Sequence, residues 1–299
     1  MPAVARRRVR LALRSAREAT GLSQQDVAGA IGWSLSKLQR IELGEVTISP
    51  TDLRAALEKY GVTDENYIAS LMEDAWAARR ERYWTNPEYR EHLPPGLLQL
   101  LQFELAATSI REYQTAMVPG HLQTAAAADA TIGWFDKSLT DDERRVRRDV
   151  RLSRKRDVFE REGAPHYLLL LDESALWRSV GGLQVAADQF ESLAEEAALP
   201  NVHVRVLPMD AGALMGSSGA FVVLDLSDEP DDAVLYRETY LRDELVQDPA
   251  EVGYHRDVFE RFWYRALDED ASRALILARV YDLRARIARA ACGVDGTPT

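Results

Sequence analysis

The 299-residue chain is 46% hydrophobic and 28% charged, with 17 Gly, 12 Pro and a single Cys; that balance excludes a disordered, collagenous or low-complexity chain. One cysteine, Cys292, excludes an intramolecular disulfide or a thiolate zinc site and suits a reducing cytoplasm. The net charge of −11 is uneven: residues 1–62 hold ten Lys/Arg against six Asp/Glu, a local +4, and the remainder carries −15, the asymmetry expected when a small basic module meets a polyanion.

Residues 9–20 read as a helix, with Val9, Leu13 and Ala16 on one face and Arg10, Arg14 and Arg17 on another. Gly21 ends it, and Ser23 is placed to cap a second helix whose apolar stripe is Val27, Ala28 and Ile31. Gly32 punctuates. Ser34 is placed to cap a third helix, with Leu38 and Ile41 inward and Glu42-Leu43-Gly44 at its close. Ser49-Pro50 opens a fourth, with Leu53, Ala56 and Leu57 inward and Tyr60-Gly61 at its end. Two short helices around a glycine turn, inside a bundle of about 60 residues, describe a helix-turn-helix. The second of the pair is expected to project and enter the major groove of double-stranded DNA.

Its face follows from helix geometry. With Leu38 and Ile41 inward, Ser36, Lys37, Gln39 and Arg40 lie outward or on the flanks, and Ser34 and Leu35 sit near the entering end. Lys37 and Arg40 are the best base or phosphate partners, since a cation reads a guanine edge or neutralises backbone charge. Leu35 suits either a thymine methyl or the bundle edge. Gln25 is a weaker candidate. Arg6-Arg7-Arg8 and Arg10 form either an arm along phosphates or a minor groove, or a charged, frayed terminus.

The segment GLSQQDVAGAIGWSLSKLQRIELG, residues 21–44, resembles the lambda-repressor-like, XRE-family helix-turn-helix, with Gln24, Ala28, Gly32, Ile41, Glu42 and Gly44 at its characteristic places. The resemblance implies that Gln24 contacts phosphate and braces the recognition helix.

Beyond residue 62 a helical connector is expected over 63–95, containing Trp76, Trp84 and the basic run Arg79-Arg80-Glu81-Arg82, and broken by Pro94-Pro95-Gly96. Leu97, Leu98, Leu101, Leu105 and Ala106 then recur at helical spacing up to Val118-Pro119-Gly120, and another helix is expected over 122–131. Thr140-Asp141-Asp142-Glu143 is a capping box for a helix that packs eight basic residues into positions 144–156. That helix reads best as a solvated face paired to acidic neighbours, with an anion pocket or an interface as alternatives.

The period then changes. Strands are expected over 167–171 and 202–206, and a hairpin from 221–226 and 233–237; Asp172-Glu173-Ser174 opens a short helix, and amphipathic helices cover 185–198, 250–267 and 271–290. The expected fold is mainly α with a smaller α+β part: an N-terminal four- to five-helix lambda-repressor-like bundle, and a C-terminal helical and mixed α/β domain. The organisation is 1–62 helix-turn-helix, 63–95 connector, 96–292 regulatory and dimerisation domain, and 293–299 tail.

This body resembles the uncharacterised domain that follows a helix-turn-helix in many actinobacterial regulators. The matching words are Glu104 before Tyr113, Val118-Pro119-Gly120-His121-Leu122-Gln123-Thr124, the arginine-rich helix, Leu171-Asp172-Glu173-Ser174-Ala175-Leu176, Val206-Leu207-Pro208, Gly219-Ala220-Phe221 and Val234-Leu235-Tyr236-Arg237-Glu238. The resemblance implies transcriptional regulation, in some members an antitoxin-like role with a small neighbour-encoded protein as partner, and it supplies no effector.

A direct search for chemistry yields little. The five His are scattered without metal-ligand spacing, and no phosphate loop, dinucleotide fingerprint or nucleophile elbow occurs. Asp172, Glu173 and Glu238 are the one set of carboxylates with a claim to converge. No catalytic residue, metal or cofactor is expected. The longest apolar runs, about five residues, fall far short of the ~20 needed to span a bilayer, so a cytoplasmic protein is expected, nucleoid-associated when bound to DNA. Because one small module binds marginally, a homodimer reading two half-sites is expected too.

Overall fold

The structure, a computed structural model, describes residues 2–43, 46–79, 91–135, 138–212, 219–238 and 243–291. Gly44, Arg80-Glu81-Arg82, Trp84, Cys292 and the tail lie outside the described residues. The chain divides into two compact units, Met1–Pro87 and Glu88–Thr299.

The first unit contains α1 (Pro2–Ala19), α2 (Gln24–Ala30), α3 (Leu35–Glu42), α4 (Pro50–Lys59) and α5 (Glu65–Arg79). Serine starts three of these helices: the Ser23, Ser34 and Ser49 hydroxyls accept the backbone N–H of Asp26, Lys37 and Asp52, and Asp26 returns a bond to complete a capping box. Each cap stabilises its helix by about 1 kcal/mol. Gly32, at φ +71°, lets the Trp33 N–H turn back to the Ala28 carbonyl at 2.8 Å and close α2; a side chain there strains the backbone. Val9, Leu13, Val27, Ala28, Leu38, Ile41, Leu53 and Leu57 form the core.

Two expectations change here. The arginines at 6–8 are not an arm, because α1 begins at Pro2 and takes them into its first turns. The segment expected to be a connector contributes α5, whose Ile68, Leu71 and Ala75 belong to the core of the first unit.

The second unit contains α6 (Pro95–Glu104), β1 (Ser109–Gln114), α7 (Ala125–Phe135), α8 (Asp141–Phe159), β2 (His166–Asp172), α9 (Leu183–Glu196), β3 (Val202–Leu207), β4 (Phe221–Asp225), β5 (Ala233–Glu238), β6 (Asp243–Val246), α10 (Pro249–Arg265) and α11 (Glu269–Ala291). The strands form one sheet in the order β3-β2-β1-β4-β5-β6. β1, β2 and β3 run parallel through helical crossovers, and β4, β5 and β6 continue antiparallel from β1. On one face Tyr113, Leu170, Phe221, Val223 and Leu235 pack against Val252, Phe259 and Phe262 of α10. The molecule is mainly α with a smaller α+β part.

The helical spacing ends at Glu104, and β1 occupies part of the stretch expected to be helical. Glu112 hides this strand in the sequence: it points to a buried face yet carries a carboxylate, 4% exposed. Tyr167 Oη donates to Glu112 Oε2 at 2.8 Å, and Gln114 Nε2 donates to Oε1 at 2.8 Å. Asp172, Glu173 and Glu238 do not converge. Asp172 ends β2, Glu173 follows it and Glu238 ends β5, and β2 and β5 lie three strand spacings apart, about 14 Å at ~4.8 Å each. Asp172 instead caps the 3-10 turn Glu173–Trp177 by accepting the Ser174 N–H, while Glu173 accepts the Met209 N–H.

Candidate nucleic-acid interface

Leu38, Ile41 and Glu42 fix the inner side of α3, and Leu35, Ser36, Gln39, Arg40 and Leu43 are exposed. Those five fall at alternating intervals of one and three residues, so they line one side of a helix about 12 Å long, close to the ~12 Å width of a B-DNA major groove. Leu35 is 37% and Leu43 65% exposed, so Leu35 borders open solvent. Ser34 is committed to capping, since its hydroxyl oxygen accepts the Lys37 N–H at 3.1 Å.

Lys37 takes the flanking position of the two that its sequence reading left open. Its ammonium donates to Asp52 at 3.1 Å and lies 4.2 Å above the Trp33 ring, on the flank of α3 and not in the exposed row. Both partners belong to neighbouring segments, which tether the charge. Gln25 is exposed at the start of α2. Of the three N-terminal arginines, Arg7 is 4% exposed, and burial pulls the Arg6 guanidinium below its usual pKa. Arg8 turns outward and pairs with Asp74 at 3.5 Å. These three therefore leave a single outward guanidinium in place of a cationic arm.

What holds α3 in position is a buried carboxylate. Arg17 of α1 donates from Nε and Nη2 to the two oxygens of Glu42 at 2.7 and 2.9 Å, and from Nη1 to the Leu22 carbonyl at 3.1 Å. Gln24 of α2 donates from Nε2 to Glu42 Oε2 at 2.7 Å. A carboxylate at the last turn of a helix opposes the macrodipole; here a bidentate guanidinium and an amide offset that penalty. The bond to Glu42 holds the Arg17 guanidinium above its ordinary pKa. Gln24 thus braces α3, with the amide oriented by Glu42. The sequence reading missed Arg17, Trp33 and Leu43; the continued four-residue step from Gln39 to Leu43 was the available signal for the last.

Four of the eight basic residues at 144–156 on the arginine-rich helix α8 pair with carboxylates. Arg145 pairs with Asp142 and Asp149, and Arg148 with Asp129 and Asp149. Lys155 bonds Glu196. Arg154 turns inward to grip Glu104 through Nε at 3.0 Å and a second bond from Nη2. Nearby, His121 Nε2 lies 3.1 Å from Tyr167 Oη, and burial drives the His121 pKa well below its usual value. Burial pushes Glu112 up to about 7. Among the described residues no group of three or more His, Cys, Asp or Glu could hold a metal ion, and no helix is long and apolar enough to cross a membrane.

Compared with known proteins, residues 9–67 match the family described as a helix-turn-helix domain, and residues 97–278 match the family described as a domain of unknown function, DUF5753. The second match spans more than half of the chain, which therefore belongs to the DUF5753 family and carries a helix-turn-helix DNA-binding domain at its N-terminal end. No curated protein and no solved structure matches it.

Proposed function

We propose that this DUF5753-family chain is a sequence-specific transcription regulator of the XRE type, acting as a homodimer on the nucleoid in the cytoplasm. The exposed row Leu35, Ser36, Gln39, Arg40 and Leu43 carries this reading. Gln39 and Arg40 supply the donors and acceptors that base edges demand, and Leu35 and Leu43 offer apolar contacts to thymine methyls. Lys37, tethered at the flank, takes a backbone phosphate, as do Gln24 and Gln25 from the start of α2. Two copies reading half-sites one helical turn apart supply the affinity that a single small module lacks.

The second unit serves dimerisation and the response to an effector, and we assign it no catalytic step. A second reading has it sequester a small protein partner, with DNA binding as autoregulation; the exposed Trp134 (79%) and Tyr281 (76%) favour that role. Co-purification of a small neighbour-encoded protein that alters DNA affinity distinguishes the two.

Anisotropy titrations on chromosomal fragments selected by the purified chain test the head. Gln39→Ala and Arg40→Ala are each expected to weaken specific binding by about 1–3 kcal/mol and to relax sequence preference. Lys37→Ala is expected to weaken all sequences alike and lower the salt slope by about one. Unchanged affinity and preference in both Gln39→Ala and Arg40→Ala would remove α3 as the reading helix.

A further inference from the structure

We infer that α10 carries the surface through which two copies of this chain pair, antiparallel across a two-fold axis; this rests on the dimeric reading above and names its interface. The inner side of α10, Val252, Val258, Phe259 and Phe262, is committed to the sheet. Three of its flanking charges are also committed: Glu251 pairs with Arg237 at 2.9 Å, Arg256 with Asp225 at 2.6 Å and Glu260 with Arg111 at 2.9 Å.

The outer side carries Tyr254, Asp257, Arg261 and Tyr264, all exposed. At 100° per residue these four fall within an arc of about 80°, a single stripe along the helix. Tyr264 is 90% and Tyr254 63% exposed, and the former is the most exposed large apolar side chain among the described residues. Arg261 Nε donates to the Asp257 backbone carbonyl at 3.2 Å. Among the described residues neither the Asp257 carboxylate nor the Arg261 guanidinium enters an ion pair.

The order of the four decides the occupant. Tyr254 and Tyr264 lie five positions either side of Phe259, and Asp257 and Arg261 lie two either side. Reversing the stripe end for end therefore superposes tyrosine on tyrosine and exchanges acid for base. An antiparallel second copy sets Asp257 against Arg261 of the partner subunit and Tyr254 against Tyr264 of the partner subunit, and the two-fold makes each contact twice. A closed two-fold interface requires this self-complementarity. A parallel copy would set carboxylate on carboxylate. Tyrosine and arginine are also the side chains that concentrate binding energy at interface centres.

Sedimentation equilibrium of the full chain, alone and with selected DNA, tests the surface through charge reversal at exposed positions. Asp257→Arg and Arg261→Asp each place like charges together twice, and each is expected to raise the dimer dissociation constant about tenfold or more. The double variant restores opposite charges and is expected to return within about threefold of the parent. Tyr264→Ala is expected to weaken the dimer without any change of charge, and far-ultraviolet circular dichroism confirms that each variant is folded. A parent chain that is monomeric at micromolar concentration, with and without DNA, overturns the dimeric reading and this interface together. A dimeric parent whose charge reversals and Tyr264→Ala sediment unchanged overturns this interface alone, and a double variant as weak as the singles overturns its antiparallel register.

Discussion

Glu42 is 5% exposed at the last turn of α3, and its two oxygens are divided between Arg17 and Gln24. Removing Arg17 leaves a buried carboxylate facing one amide. Arg17→Ala is therefore expected to cost about 3–5 kcal/mol in the stability of the first unit, read as the urea transition. Replacing Glu42 and Arg17 together by apolar residues is expected to cost much less, because no charge is then stranded. In the second unit Glu112 offers a pH test. Its folded pKa, about 7, is raised above the ordinary carboxyl value by burial. Its contribution is fully present below the unfolded value near 4.5 and is lost as pH rises through 7. Glu112→Gln keeps an acceptor for Tyr167 Oη and carries no charge, so it is expected to stabilise the second unit at pH 8 by about 3 kcal/mol and to change little at pH 4. His121, Tyr167, Arg154 and Glu104 face the same carboxylate or its neighbours, so parent and variant are compared at each pH. An equal effect at both pH values would refute the titration of Glu112.

At the scale of elements, α3 depends on how it begins. Ser34→Ala removes the acceptor for the Lys37 N–H and is expected to cost about 1 kcal/mol in stability, with weaker DNA binding because Leu35 and Ser36 lose their placement. The same cap was legible in the sequence, as were α2, α4 and the capping box of α8, because serine or threonine oxygens and free amides lie three residues apart along the chain. β2 and β3 were legible through their apolar pattern. β1 was not, because Glu112 and Gln114 interrupt its apolar pattern: Gln114 bonds Glu112 two residues away, and Glu112 is satisfied by Tyr167, distant in sequence. β6 is four half-buried residues, Asp243-Glu244-Leu245-Val246, at the edge of the sheet, where no alternation is imposed. The exposed face of α3 was legible through Leu38 and Ile41. The anchoring of Lys37 and the burial of Arg7 were not, since both depend on which side chains fold against them.

For the whole molecule, two units have separate cores, and the proposed function divides the work between a surface on the first that reads DNA and the larger second unit that pairs and responds. Leu38 is fully buried in the first core, so Leu38→Ala is expected to cost about 2–5 kcal/mol there. In the proposed function, sequence preference resides in the outer side of α3. The most direct measurement is selection of chromosomal fragments by the purified chain, with dimethyl sulfate protection of guanine N7 in the major groove, beside a variant with Ser36, Gln39 and Arg40 all replaced by alanine. The expected result is enrichment of discrete fragments with protected guanines for the parent, and salt-sensitive binding without enrichment for the variant. Equal enrichment by both chains, or a parent that retains bulk DNA and selected fragments equally, would show that α3 does not carry sequence preference.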